Sequence, residues 1–88
     1  MICYHATDKK GFNGIKKDGC IKANRLPNVY LFMRLNDAIV YASTMGLKHV
    51  LSCAIEKNQI ESRWKPKYAE GGVIKLKKNQ CVDIIIME

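Results

Sequence analysis

The chain has 88 residues, of which 15 are Lys or Arg and 8 are Asp or Glu, giving a formal net charge of +7 with both histidines neutral. Hydrophobic residues make up 48% and charged residues 26%, a balance that excludes disordered and collagenous chains and allows one domain, residues 1–88, with a small core. No run approaches the roughly 20 apolar residues that span a bilayer, and the length excludes a large multi-substrate enzyme.

Residues 2–6 are short and apolar around a central Tyr-His, the pattern of a strand. Thr7 or Asp8 then serves as N-cap of a short helix with Phe12 and Ile15 on one face, Lys16 and Lys17 at its C-terminal dipole and Gly19 as its stop. Residues 20–23 form a short strand and residues 24–28, with Pro27, a loop. A further strand covers 29–32. Asn36 or Asp37 caps a second helix, on which Ala38, Ile39, Ala42, Met45 and Tyr41 supply an apolar stripe that ends at Gly46.

Residues 49–55 are β-rich and continuously apolar enough for a strand buried on both faces. The stretch 56–72, with Trp64, Pro66, Tyr68 and a Gly-Gly pair, is the least regular. Two closing runs, 73–76 and 81–86, read as strands joined by a turn over 77–80. Strands outnumber helices and the late ones come without crossover helices, so the fold class is α+β: a split mixed or antiparallel sheet with two short helices.

Four cysteines, Cys3, Cys20, Cys53 and Cys81, stand at intervals of 17, 33 and 28 with no CxxC pair. Three lie in apolar runs where free cysteine behaves as a small hydrophobe, and the N-terminal residues lack the charged and apolar regions of a signal peptide. Reduced thiols and a cytoplasmic setting follow as expectations. No two candidate ligands around His5 or His49 have finger-like spacing, so no metal site is expected.

Three features carry chemistry: Tyr4-His5-Ala6-Thr7 at the end of the first strand, before a helix ending Gly14-Ile15-Lys16-Lys17-Asp18-Gly19; Val29-Tyr30-Leu31-Phe32; and Asp37-Ala38-Ile39-Val40-Tyr41-Ala42. Ten residues separate Tyr30 from Tyr41. In this order the motifs resemble the ADP-ribosyltransferase superfamily, in its diphtheria-toxin and poly-ADP-ribose-polymerase branch, over about the first half of the chain. The resemblance implies a minimal domain that binds NAD as substrate and transfers ADP-ribose to a macromolecule. Its size would suit a bacterial or phage effector, a toxin or an inhibitor of host defence.

By the same resemblance His5 hydrogen-bonds the ribose 2′-hydroxyl, the backbone of Ala6 grips the nicotinamide carboxamide, Thr7 assists at the adjacent ribose, and Tyr30 and Tyr41 sandwich the nicotinamide ring. Imidazole offers a directional donor and acceptor at neutral pH, and stacking contributes on the order of 1 kcal/mol per face. The family's catalytic carboxylate falls best on Glu70, ahead of Gly71-Gly72-Val73-Ile74, with Glu56 and Glu61 as fallbacks. Two departures stand out. Aligning the 79–81 turn with the family's ending puts Gly72 at the acidic position, and Ala6 stands where glycine is usual. The same residues also have ordinary readings: Tyr4 and His5 as core, Tyr30 and Tyr41 as packing, Glu70 as a solvated carboxylate.

The positive charge is concentrated late. Lys57, Arg63, Lys65, Lys67, Lys75, Lys77 and Lys78 stand against only Glu61 and Glu70 between residues 57 and 78, with Trp64 and Tyr68 interleaved. This stretch is a solvated face or the contact for a macromolecular partner. The alternative to an enzyme is therefore a non-catalytic module of the same fold that binds nucleic acid or an acidic protein through 57–78.

Overall fold

The computed structural model describes residues 1–22, 29–77 and 81–86; the loop expected over 24–28, together with Lys78 and residues 79–80 of the expected closing turn, lies outside them. Along the chain run β1 (Ile2–Thr7), α1 (Lys9–Asp18), β2 (Cys20–Lys22), β3 (Tyr30–Phe32), α2 (Leu35–Met45), β4 (His49–Ala54), a 3₁₀ turn (Lys57–Gln59), β5 (Ile60–Trp64), β6 (Val73–Leu76) and β7 (Cys81–Ile86). The protein is mixed α+β, with two helices on a seven-stranded sheet in the order β2-β7-β4-β1-β3-β6-β5. All described pairings are antiparallel, so the mixed option is not realised.

The sheet is continuous rather than split, but its joints are unequal. β1 and β4 register at six positions, from Ile2↔Ala54 to Thr7↔His49, whereas β1 and β3 register only at Tyr4↔Phe32. β6 and β7 are not the neighbours that their closeness in sequence implied. β6 lies between β3 and β5, and β7 between β2 and β4. Each finds a partner strand on its own half of the sheet, and both feed one core through Ile74, Leu76 and Val82.

That core occupies one face of the sheet, where Cys3, Leu31, Leu51, Cys53 and Ile74 are fully buried under Ile15 of α1. Phe12 and His49 stack at 4.0 Å and fix the helix against β4. Asp8 is the cap of α1, its carboxylate accepting from the Gly11 amide at 2.7 Å, and Gly19 ends the helix in the left-handed region. A smaller cluster of Phe32, Ala38, Ala69 and Val73, flanked by Tyr4, Tyr41 and Val50, covers the opposite face beneath α2.

Several expectations are revised. α2 begins at Leu35, ahead of both expected caps, and its N-cap Arg34 makes no side-chain bond. Asp37 instead turns inward, 7% exposed, for a tertiary contact described below. Only Ala38 and Ala42 of the expected stripe are buried, with Tyr41 half-buried; Ile39 and Met45 are exposed, because the sheet beneath α2 admits a narrow seam. β4 alternates instead of being buried on both faces: Leu51 and Cys53 are buried, Val50 and Ser52 half-buried. Within the irregular stretch lies β5, an edge strand whose exposed residues give no hydrophobic period to read.

The thiols divide as well. Cys3 and Cys53 are free and buried, as expected, whereas Cys20 is disulfide-bonded. A bridge is set by which strands tertiary pairing brings together, which sequence intervals do not encode. The bond removes one of the two supports for a cytoplasmic setting. Among the described residues no helix is long and apolar enough to cross a membrane.

Candidate functional site

The site forms where β1 and β3 part. Continuing the Tyr4↔Phe32 register would set Ala6 opposite Tyr30, but no pair forms there; the His5 side chain bridges the gap, its Nδ1 3.1 Å from the Tyr30 carbonyl oxygen. A carbonyl oxygen only accepts, so Nδ1 carries the proton and Nε2 of the neutral ring is left as an acceptor. Burial draws the His5 pKa below its ordinary value, and the hydrogen bond to Tyr30 opposes that shift only in part. The imidazole is therefore neutral at physiological pH.

A cavity of about 460 Å³ opens at this point, lined by His5, Ala6, Tyr30, Phe32, Tyr41, Trp64, Tyr68 and Val73. Its volume falls in the range of small-molecule sites, roughly 300–1,000 Å³. Strand register explains the floor. Phe32 pairs with Val73 and Val73 with Trp64, so these three form one row across β3, β6 and β5 on the face toward α2. Tyr30, two residues before Phe32, shares that face and meets Trp64 edge-on, with ring centroids 5.7 Å apart and an interplanar angle of 89°. From the helix side, Tyr41 leans on Phe32 at 5.1 Å and on Tyr68 at 6.2 Å. Aromatic side chains thus approach from β1, β3, α2, β5 and the segment after β5.

The outer wall is held by Asp37. Its Oδ2 accepts from the Gly71 amide at 2.9 Å, tying the first turn of α2 to the turn that leads into β6. A Cβ on Gly71 would collide with the Arg34 stem and approach Asp37 Oδ2 to 2.9 Å, so this position admits little beyond glycine. Gly72 follows at φ +99°, a conformation other residues rarely adopt, and its carbonyl accepts from the Met33 amide at 3.1 Å. The segment carrying Tyr68 and Ala69 is thereby fastened over the cavity.

Of the residues singled out from sequence, His5, Ala6, Tyr30 and Tyr41 come together in this cavity. Thr7 does not line it; its Oγ1 lies over Gly11 in the first turn of α1. Glu70 is exposed in the turn before β6 and is not among the lining residues. The fallback acids have other contacts: Glu61 pairs with Lys75 at 2.6 Å, and Glu56 shares a capping box with Gln59. Among the described residues, none of those lining the cavity carries a carboxylate.

Sequence reasoning did not place Phe32, Trp64, Tyr68 or Val73 in the site. Phe32 was recoverable from the alternation of β3, being two residues from Tyr30; Trp64 and Tyr68 were not, since their strand and turn carry no periodic signal. Comparison with protein-family models, with curated proteins and with solved structures finds no match to this chain.

Proposed function

We propose that the protein is a minimal ADP-ribosyltransferase-like domain that binds NAD as substrate in the aromatic cavity and transfers ADP-ribose to a macromolecule. The observation that carries this reading is the convergence of His5, Ala6, Tyr30 and Tyr41, three separate elements in the sequence, on one cavity of suitable volume. The α+β class with two helices also supports it, although the sheet is continuous where the resemblance leads to a split one.

The residues fit the substrate. The several aromatic rings of the cavity suit a flat pyridinium ring, which is cationic in NAD and attracted by the ring quadrupoles. With Nδ1 committed to the Tyr30 carbonyl, His5 has Nε2 left to accept a ribose hydroxyl proton. In the transfer, the bond between ribose C1′ and the nicotinamide nitrogen breaks and the ring leaves with the bonding pair. The acceptor's nucleophile bonds to C1′ and gives up its proton. Glu70 is the carboxylate that the resemblance assigns to that proton; it stands exposed in the turn beside the cavity, outside its lining.

Titration calorimetry with NAD tests the binding half, and label transfer from NAD to lysate macromolecules tests the chemistry. His5→Ala and Tyr30→Ala abolish both, while Glu70→Gln keeps binding and loses transfer. Absence of binding at millimolar NAD refutes the reading.

A further inference from the structure

Two rings of the cavity wall, Trp64 and Tyr68, lie in a basic stretch of the chain. Arg63, Trp64, Lys65, Lys67 and Tyr68 follow one another along the end of β5 and the segment after it, and all five are exposed. Trp64 is 38% and Tyr68 58% exposed, although both line the cavity, so each ring meets solvent at the mouth. The nearby acids do little to cancel the cations. Glu61 pairs with Lys75 and Asp37 is buried on Gly71, which leaves Glu70 as the exposed carboxylate of this turn. Lys57 and Lys77 are exposed and extend the positive field, the Lys77 amide donating to the carbonyl of Gln59, the last residue of the 3₁₀ turn that Lys57 begins.

β5 is an edge strand, and charges on an edge discourage pairing with other chains. That role explains Arg63 and Lys65, but it does not explain two exposed rings. An acidic protein would be satisfied by the charges alone. Cations that follow a backbone, interleaved with aromatic faces on which bases stack, are what a single-stranded polynucleotide requires. We propose that this strip binds single-stranded nucleic acid, with Lys65 and Lys67 on phosphates and a base stacked on Trp64 or Tyr68; Arg63, registered with Ile74, points to the other face of the sheet. The inference names the acceptor side of the site; it rests on the dinucleotide reading for the chemistry and not for the binding.

Trp64 is the single tryptophan of the chain, so its fluorescence reports directly. Titrating the intact protein with a twelve-nucleotide oligo(dT) or oligo(rU), without NAD, quenches that emission. Two or three phosphate contacts weaken binding by about 7- to 20-fold between 50 and 200 mM salt. Labelled-oligonucleotide anisotropy shows roughly 5- to 150-fold weaker binding for Trp64→Ala or Tyr68→Ala, the worth of one stacked base. The charge-reversal double variant K65E/K67E loses binding with its circular dichroism spectrum unchanged.

Absence of quenching overturns the proposal. So does equal binding of polyglutamate of matched charge, which would make the partner an acidic protein, or anisotropy unaffected by either aromatic substitution. NAD is titrated separately: oligonucleotide binding without NAD binding defeats the dinucleotide reading alone, and the reverse result defeats this one alone.

Discussion

Removing the Asp37 carboxylate tests how the cavity wall is held. Asp37 is 7% exposed and its Oδ2 lies 2.9 Å from the Gly71 nitrogen. A hydrogen bond to a charged acceptor contributes about 1.5–3 kcal/mol, and a carboxylate in the first turn of a helix adds about 0.3–1 kcal/mol through the dipole. Asp37→Ala therefore costs roughly 2–4 kcal/mol, a large share of the stability of a domain this small. At about 4–8 °C per kcal/mol the melting temperature falls by about 10 °C or more. Asp37→Asn keeps an amide oxygen as acceptor and loses the charge, so it falls between wild type and alanine. Gly71→Ala should resemble Asp37→Ala, because its methyl group displaces both Arg34 and Asp37. Thermal unfolding followed by circular dichroism reads all three. Since the turn positions Tyr68 on Tyr41, a partly folded Asp37→Ala protein at low temperature also binds cavity ligands more weakly. An Asp37→Ala protein that melts within 2 °C of wild type refutes the clamp.

Four further outcomes follow from the core and the site. His5 has a depressed pKa when folded, so its contribution to stability is complete above the ordinary value of about 6.5 and is lost as pH falls from there through the folded value; His5→Gln removes this acid sensitivity in pH-dependent melts. Burial, with the neighbouring Cys3 adding to it, pushes the Cys53 thiol up to about 12 from 9.0; the native protein then loses stability as pH rises above about 9, by at most about 1.4 kcal/mol per pH unit, and Cys53→Ala flattens that slope. Cys3 and Cys53 are buried, so thiol reagents reach them only after denaturation, and labelling of either in the native state would contradict the packing. Leu51→Ala, at a fully buried position of central β4, costs about 2–5 kcal/mol by denaturant titration.

Legibility in the sequence tracked burial. β1, β4 and α1 were readable as elements because Cys3, Leu51, Cys53 and Ile15 place apolar residues in them, although the continuous run of β4 suggested burial on both faces where only one is fully buried. β5 was unreadable because an edge strand with exposed Glu61, Ser62 and Arg63 has no face to betray it. Asp37 was read as a helix cap since a carboxylate near a helix start satisfies local amides; its actual partner, Gly71, stands 34 residues away and leaves no local trace. The site was half legible for the same reason. His5, Ala6, Tyr30 and Tyr41 sit in ordered motifs, whereas Trp64 and Tyr68 join them only through the β3–β6–β5 pairing.

The weak joint between β1 and β3 links fold to site. A continued ladder would have consumed the Tyr30 carbonyl on an Ala6 amide and closed the gap that the cavity occupies. Instead that carbonyl holds His5 in one tautomer, so the imidazole replaces a backbone pair and acquires its chemical orientation by the same contact. The sheet survives the gap because β1 is secured along its whole length on the other side by β4, and β3 by β6 at Tyr30, Leu31 and Phe32. A substitution at His5 therefore acts on two levels at once. One that keeps a donor to the Tyr30 carbonyl, His5→Asn or His5→Gln, separates them: the joint is retained while the Nε2 acceptor is lost. Ligand affinity that falls in those variants with unchanged melting temperature belongs to the site, and affinity that falls only together with melting temperature belongs to the sheet.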